Sequence, residues 1–127
     1  IYNGYCSDIT RTVFILSVPE DIKKIYSIVK KAQENAIVAI KPGMTTNKLD
    51  SIARNFIAAH GYAPMFGHSL GHGVGMDVHE IPAIKQNGMV KLKKGMVITI
   101  EPGIYLPKRG GVRIEDMVLI TNNGYEV

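Results

Sequence analysis

Three of the four histidines of this chain of 127 residues fall within one short, glycine-rich segment. They are His68, His72 and His79. The glycines among residues 67–75 would each cost a helix about 1 kcal/mol relative to alanine, so His68 and His72 are not a zinc pair on a helix. In an extended or looping backbone, such glycines let the chain approach another group closely, for example a metal or a substrate. The alternative is a glycine-rich turn with incidental histidines.

Three acidic residues lie in strand-like surroundings where a carboxylate needs a partner. Glu101 ends an apolar run, so it either reaches solvent or has a buried partner. Glu115 is flanked by apolar residues, and by strand alternation Arg113 shares its face, so the simplest structural explanation is an internal ion pair. In the same way, Asp8 could simply pair with Arg11.

Taken together, these groups have the chemistry of a metal site. Asp8, Glu101, Glu115 and one of the clustered histidines would supply hard oxygen ligands and one imidazole, a set suited to two divalent ions such as manganese, cobalt, zinc or iron. Two such ions roughly 3.5–4 Å apart need a bridging carboxylate, and glutamates on adjacent strands could provide one. The spacing alone does not name an enzyme.

The first elements that must position these groups are a strand and a helix. Residues 5–16 are rich in β-branched and aromatic residues, which predicts a strand with Asp8 inside it. Ser17 and Glu20 have the spacing of a capping box, with proline between them in the first turn. Apolar residues then recur at three- and four-residue steps, which predicts a helix from Glu20 to about Ile40, ended by residues 41–43.

A second helix and a pair of strands complete the predicted domain. The second helix would be capped by Thr45 or Thr46 and stopped by Gly61. The two amphipathic helices can pack on one side of a sheet. Residues 96–101 and 112–120 are β-branched runs separated by a Pro/Gly-rich connection, so an antiparallel pair is the simplest interpretation. The sequence therefore predicts one α+β domain.

Composition excludes several classes of protein. With 46% hydrophobic and 20% charged residues, the chain is typical of a soluble globular domain. It has no apolar run near the length that a membrane-spanning helix needs. The net charge of +4 comes from lysines on predicted solvated faces without interleaved aromatic residues, so we expect no nucleic-acid partner. The one cysteine, Cys6, cannot form an internal disulfide, which suits a cytoplasmic location.

Four ordered blocks of the chain resemble the successive signatures of the pita-bread metallopeptidases. The blocks are residues 4–12, 68–80, 95–105 and 111–116. The sequence Val-Arg-Ile-Glu-Asp at 112–116 and the Asp-Val-His-Glu-Ile-Pro ending at 77–82 resemble the Xaa-Pro dipeptidase and aminopeptidase branch more than the methionine aminopeptidases. The match runs nearly from end to end, which makes it far more specific than a single short motif.

The resemblance implies both a fold and an activity. The fold would be a truncated pita-bread fold, with a curved antiparallel sheet and helices packed on its outer face. Residues 1–127 would form the C-terminal part of the catalytic domain. The activity would be that of a metal-dependent exopeptidase, which hydrolyses the peptide bond before proline in dipeptides or at peptide N-termini. Its partner would be a peptide substrate with proline at the second position.

The resemblance also implies a ligand set. Asp8 would be a bridging or second-metal ligand, His72 the imidazole ligand, and Glu115 a bridging ligand. Glu101 would be a ligand that can also take a proton. Arg113 would orient Glu115 or Asp8 without touching the metal.

His68 and His79 would either support the metal ligands or face the substrate. His79 or a neighbouring group would stabilise the oxyanion. In this scheme two divalent ions lower the pKa of a shared water, and Glu101 carries the proton to the leaving amine.

The chain differs from the family pattern at its start. The family's first aspartate ligand would lie upstream of Asp8, at a position before Ile1. We therefore expect weak or single-metal binding and little or no turnover by this chain alone. A sheet without its first strands would expose an edge and part of a core, so we also expect a homo-oligomer.

Two alternative functions use the same fold. One is a non-catalytic binding module whose surface binds a partner, and the other is a creatinase-like hydrolase that works without metal. The presence of all four donor residues disfavours both.

Overall fold

Two helices precede all seven strands in the computed structural model, which describes residues 1–127. The elements are α1 Glu20–Ala39, α2 Thr46–Ala59, a 3-10 turn at Ala63–Met65, β1 Gly71–Gly73, β2 Glu80–Ile84, β3 Val97–Ile100, β4 Gly103–Leu106, β5 Gly110–Arg113, β6 Asp116–Ile120 and β7 Tyr125–Glu126.

Helix α1 has the predicted extent but not the predicted cap. The residue before the helix is Pro19, and no side chain caps it, so the predicted capping by Ser17 is wrong. The backbone N–H of Ile22 donates to the carbonyl of Pro19 and to the carboxylate of Asp21, at 3.1 Å each. Glu20 and Asp21 place negative charge in the first turn, where it complements the helix dipole.

Helix α2 begins and ends at the predicted residues, although no side chain makes a capping hydrogen bond at its N-terminus. Thr45 is the N-cap residue in extended conformation, and Thr46 is the first helical residue. Gly61, with φ of +85°, follows the helix in the left-handed region, where glycine avoids the steric cost of a side chain. The helix buries Leu49 and Ile57 completely against α1 and the sheet.

All strands of the main sheet are antiparallel, in the order β2-β1-β3-β6-β7. The predicted pairing is confirmed, because Val97 lies opposite Leu119 and Ile100 lies opposite Asp116. The run 112–120 is not one strand, however. Its first part, β5, pairs with β4 in a separate two-stranded sheet, and the chain changes sheets before β6. Glu115 therefore lies at a junction between two strands.

The predicted strand over residues 5–16 is wrong. This segment makes only two isolated bridges, Tyr5 with Tyr2 and Thr10 with Glu115, and in the second the Glu115 N–H donates to the carbonyl of Thr10 at 3.0 Å. It crosses the β5–β6 junction, where the neighbouring backbone offers no continuous ladder to extend. Farther on, the side chains of Ile15 and Leu16 are 78% and 96% exposed.

The two faces of β3 have different partners. Ile98 and Ile100 belong to a core of 21 buried residues, to which both helices contribute. Thr99 points to the opposite face by strand alternation and is also fully buried. The helices thus cover the apolar face, and the α+β prediction is confirmed. Neither helix has the length and hydropathy that crossing a bilayer requires.

A buried ion pair within α2 positions an arginine that also binds the backbone of the histidine-rich segment. Arg54 donates from Nε and Nη2 to the carboxylate of Asp50 at 2.7 and 2.8 Å, and the Asp50 side chain is fully buried. The same guanidinium donates to the carbonyl oxygens of Phe66 and His68 at 2.9 and 2.8 Å. Its carbon also lies 4.2 Å from the centre of the Phe66 ring. Arg54 therefore holds the backbone at Phe66 and His68 in place.

We predict that Asp50→Ala lowers the free energy of unfolding by about 3–5 kcal/mol, because it leaves the largely buried charge of Arg54 unpaired. The control is Arg109→Ala, which removes an exposed ion pair with Asp21 and should cost less than about 1 kcal/mol. Urea unfolding followed by circular dichroism measures both. Equal losses in the two variants would contradict the role of the buried pair.

Candidate metal centre

The structure brings together the four side chains that were predicted to bind metal. One ligand atom each from Asp8, His72 and Glu115 lies within 4.8 Å of the other two. Nε2 of His72 is 3.7 Å from Oδ2 of Asp8 and 3.2 Å from Oε1 of Glu101. Four separate segments meet here: the N-terminal segment, β1, the end of β3 and the β5–β6 junction.

The close approach of β1 to β3 positions His72. A Cβ atom on Gly71 would overlap the carbonyl group of Thr99, so only glycine permits this spacing. The backbone N–H of His72 donates to Oγ1 of Thr99 at 3.0 Å, and the same hydroxyl donates to Oε1 of Glu101 at 3.1 Å. Thr99 therefore sets the positions of two of the four donors.

The imidazole of His72 presents a lone pair to the carboxylates. Its Nδ1 lies 3.0 Å from the carbonyl oxygen of Gly73. A carbonyl oxygen only accepts hydrogen bonds, so in the neutral ring the proton is on Nδ1 and Nε2 is unprotonated. That Nε2 faces oxygens of Glu101 and Asp8, and three lone pairs directed at one point repel unless a proton or a cation lies between them.

Glu115 provides the clearest test of whether a metal fits. Its side chain is 2% exposed, and one oxygen accepts a hydrogen bond from Oγ1 of Thr10. The other oxygen, Oε1, is buried and has no hydrogen-bond partner. Burial raises the pKa of Glu115, and the negative charges of Glu101 and Asp8 raise it further. A buried, unpartnered oxygen among other carboxylates and an imidazole fits a divalent cation, which would supply the missing positive charge.

Neither of the ion pairs considered from the sequence forms. Arg11 donates to Asp116 at 2.5 Å and not to Asp8. Arg113 lies 3.4 Å from Oγ1 of Thr10 and makes no ion pair with Glu115. The expected shared face fails because β5 ends at Arg113, so alternation does not continue to Glu115. Both ligand carboxylates are thereby left without a basic partner.

The other predicted residues surround a cavity of about 400 Å³ next to the four donors. The His79 ring lies 4.2 Å from the His72 ring, centre to centre. Nε2 of His68 lies 2.9 Å from the hydroxyl of Tyr105. Arg113 also contacts that hydroxyl, at 3.5 Å, and this hydrogen bond is the main cause that raises the pKa of the guanidinium. The cavity thus carries one permanent cation beside its carboxylates.

A larger cleft of about 850 Å³ adjoins this cavity. The two share His68 and Ser69, but none of the four donors lines the larger cleft.

Three site residues were not identified from the sequence. Thr10 and Thr99 hold the side chains of Glu115 and Glu101. Tyr105 links His68 to Arg113. A signal exists for Thr99, since it is the polar residue two positions before Glu101 in an apolar run, where alternation places both on one face. Contacts between distant segments, such as Thr10 with Glu115, leave no such local signal.

Comparison with known proteins gives consistent results. The family model described as "Metallopeptidase family M24" matches residues 1–122. The Xaa-Pro dipeptidase of Pyrococcus furiosus is 60% identical over 98% of the chain, which spans 36% of that relative's length. The crystal structure of the prolidase from Pyrococcus horikoshii matches with a TM-score of 0.96 and 58% identity, over 98% of this chain and 36% of that one.

An X-Pro aminopeptidase structure from Thermotoga maritima is also similar, with a TM-score of 0.94 and 48% identity, over 98% of this chain and 36% of that one. These similarities confirm the predicted pita-bread fold and the resemblance to the Xaa-Pro branch.

We predict that Gly71→Ala weakens the binding of Mn²⁺ about tenfold or more, because a methyl group at residue 71 pushes β1 and His72 away from Thr99. Gly67→Ala is the control, since its Cβ would meet no atom within 4 Å and the residue is exposed. Isothermal titration calorimetry measures both affinities. Unchanged binding by the Gly71 variant would contradict the requirement for close strand approach.

We predict that Glu115→Gln stabilises the metal-free chain at neutral pH. Since the pKa of Glu115 is raised above its ordinary value of 4.5, the folded chain holds a proton there more tightly than the unfolded chain. The stability of the metal-free chain therefore falls as the pH rises from about that value through the folded-state pKa. The glutamine variant should lack this pH-dependent loss. Thermal unfolding with and without chelator at several pH values measures it, and a less stable variant at neutral pH would contradict the prediction.

Proposed function

Because the chain belongs to metallopeptidase family M24, we propose that its four donors belong to a site for a pair of divalent metal ions. We further propose that the protein hydrolyses the peptide bond before proline, in dipeptides or at peptide N-termini. The observation that supports this most strongly is the convergence of Asp8, His72, Glu101 and Glu115, with one glutamate oxygen buried and unpartnered. The preference for proline is supported by relatives named Xaa-Pro dipeptidase and X-Pro aminopeptidase.

The chemistry of the donors limits which metals are suitable. Carboxylate oxygens with one imidazole suit manganese, cobalt, zinc or iron. Glu115 would bind through its unpartnered Oε1, and His72 through Nε2. When bound, the ions lower the pKa of a water molecule and polarise the substrate carbonyl group.

The residues of the chain would then orient groups and move protons. Glu101 is held by the hydroxyl of Thr99, and its carboxylate can take a proton from the attacking water and give it to the leaving amine. His79 is exposed beside His72 and can donate a hydrogen bond to the oxygen that becomes negative. His68 faces the same cavity, and Arg113 adds positive charge at its edge.

The proposal includes two further expectations. A homo-oligomer is supported by the exposed apolar side chains of Val13, Ile15 and Leu16. A cytoplasmic location suits the single cysteine. The binding-module and creatinase-like alternatives are not supported by any separate observation, since neither requires a buried carboxylate oxygen without a partner.

We predict that His72→Ala lowers the affinity for Mn²⁺ and Co²⁺ at least about 100-fold, because it removes the single imidazole donor. His60→Ala is the matched control, since His60 is an exposed residue at the end of α2 and contacts none of the four donors. Calorimetry and metal analysis after dialysis measure the binding. Equal binding by the two variants would contradict the proposed ligand set.

The substrate class can be tested without turnover. We predict that Mn²⁺ bound to the protein broadens the proline ring protons of Ala-Pro in NMR spectra more than it broadens the side-chain protons of Ala-Ala. The His72→Ala variant should abolish the difference. Equal broadening of the two dipeptides by the metal-loaded protein would show that the site has no preference for proline.

A further inference from the structure

The apolar face of α1 contains one buried amide. Gln33 is 5% exposed and lies among the buried residues of the helix. Its Nε2 donates to the carbonyl oxygen of Ile100 at 3.3 Å and to Oδ2 of Asp116 at 3.0 Å. An apolar side chain at position 33 would suit the helix face equally well, so the distinctive feature of the amide is what it binds.

The same aspartate is also bound from the other side. Arg11 donates from Nη2 to Oδ1 of Asp116 at 2.5 Å and from Nη1 to the carbonyl oxygen of Glu115 at 2.5 Å. The Asp116 carboxylate therefore joins α1, which carries Gln33, to the N-terminal segment, which carries Arg11. Both of its oxygens have a partner, one of them charged.

Every contact of this network lies next to a proposed metal ligand. Ile100 precedes Glu101, and Asp116 follows Glu115 in the sequence. Arg11 lies on the same extended segment as Asp8, three residues later. The three carboxylate ligands come from three different segments, and the network connects all three to one helix.

We infer that Gln33, Asp116 and Arg11 form a positioning network that holds the carboxylates of Asp8, Glu101 and Glu115 close enough together to share bound metal. The inference rests on the proposed metal site. The three ligands carry like charges at short range in a partly buried place, so their segments move apart unless other contacts hold them. None of the network residues is one of the four proposed ligands, and each acts through the backbone or through a neighbouring residue.

The test uses Gln33→Met, which keeps the length of the side chain and its fit in the core but removes both hydrogen bonds. We expect the affinity for Co²⁺ to fall about tenfold or more, while the thermal unfolding midpoint of the metal-free chain stays within a few degrees of the original. We also expect the visible absorption bands of bound Co²⁺ to shift in position and intensity, since they report the arrangement of the ligands. Gln86→Met is the matched control, because Gln86 is exposed and outside the network.

If the Gln33→Met variant does not fold, Arg11→Met provides the same test. The side chain of Arg11 is 50% exposed, so Arg11→Met leaves the core intact. It should weaken Co²⁺ binding by a similar factor. The double variant Gln33→Met with Asp116→Asn should bind Co²⁺ about as weakly as either single variant, because residues that act as one unit are not additive.

The outcomes separate this inference from the proposed function. If the unchanged chain binds no Co²⁺, the proposed metal site is wrong. If it binds Co²⁺ and Gln33→Met binds equally well with the same spectrum, the positioning network is wrong. A variant that loses affinity only in proportion to a lower unfolding midpoint, with an unchanged Co²⁺ spectrum, would show that Gln33 has a structural role alone, and this too would overturn the inference.

Discussion

Repulsion among three carboxylates and one imidazole lone pair is the constraint on which the site depends. Asp8, Glu101 and Glu115 converge on His72, and Glu115 is almost completely buried. Burial raises the pKa of Glu115, and the nearby charges of Glu101 and Asp8 raise it further, so an ionised Glu115 is unfavourable here. A divalent cation turns the same arrangement into an attractive one. The surrounding fold must therefore hold these groups together.

The sheet meets this requirement because one of its faces packs into the core and the other carries residues of the site. On one face, Ile98 and Ile100 pack into the core under the helices. On the other face, Thr99 and Glu101, which lies two residues later, both contact His72. Glu101 lies just after the end of β3 and Glu115 at the β5–β6 junction, so their side chains can reach His72 of β1 and Asp8 of the N-terminal segment while β3 and β6 keep regular pairing. Burial of one face thus fixes the geometry of the other.

Local patterns predicted the elements, and distant contacts explain what they missed. The helices follow from the regular spacing of their buried residues, and the β3–β6 pair follows from two β-branched runs separated by a Pro/Gly-rich connection. The strand over residues 5–16 was expected from composition, but strand formation needs a continuous neighbour, and the segment meets the β5–β6 junction instead. The expected pairing of Asp8 with Arg11 fails because Asp116, over 100 residues away, binds the guanidinium. The three carboxylates were grouped with an imidazole from their residue types and surroundings, the resemblance selected His72 as that imidazole, and the individual roles of the four donors remain predictions.

Metal binding and folding should be coupled in this chain, because the site is unfavourable without a cation. Each carboxylate that the fold brings near His72 lowers the stability of the metal-free folded chain. The buried, unpartnered oxygen of Glu115 lowers it further, because that oxygen has lost its contact with water. A cation that binds the folded chain and not the unfolded one offsets both costs and adds its own binding free energy to stability. The buried pair of Asp50 and Arg54 acts differently, since it holds the histidine-rich segment on α2 whether or not metal is present. Contacts of this second kind keep the donors near their binding positions before metal arrives, so that binding does not have to order the whole site.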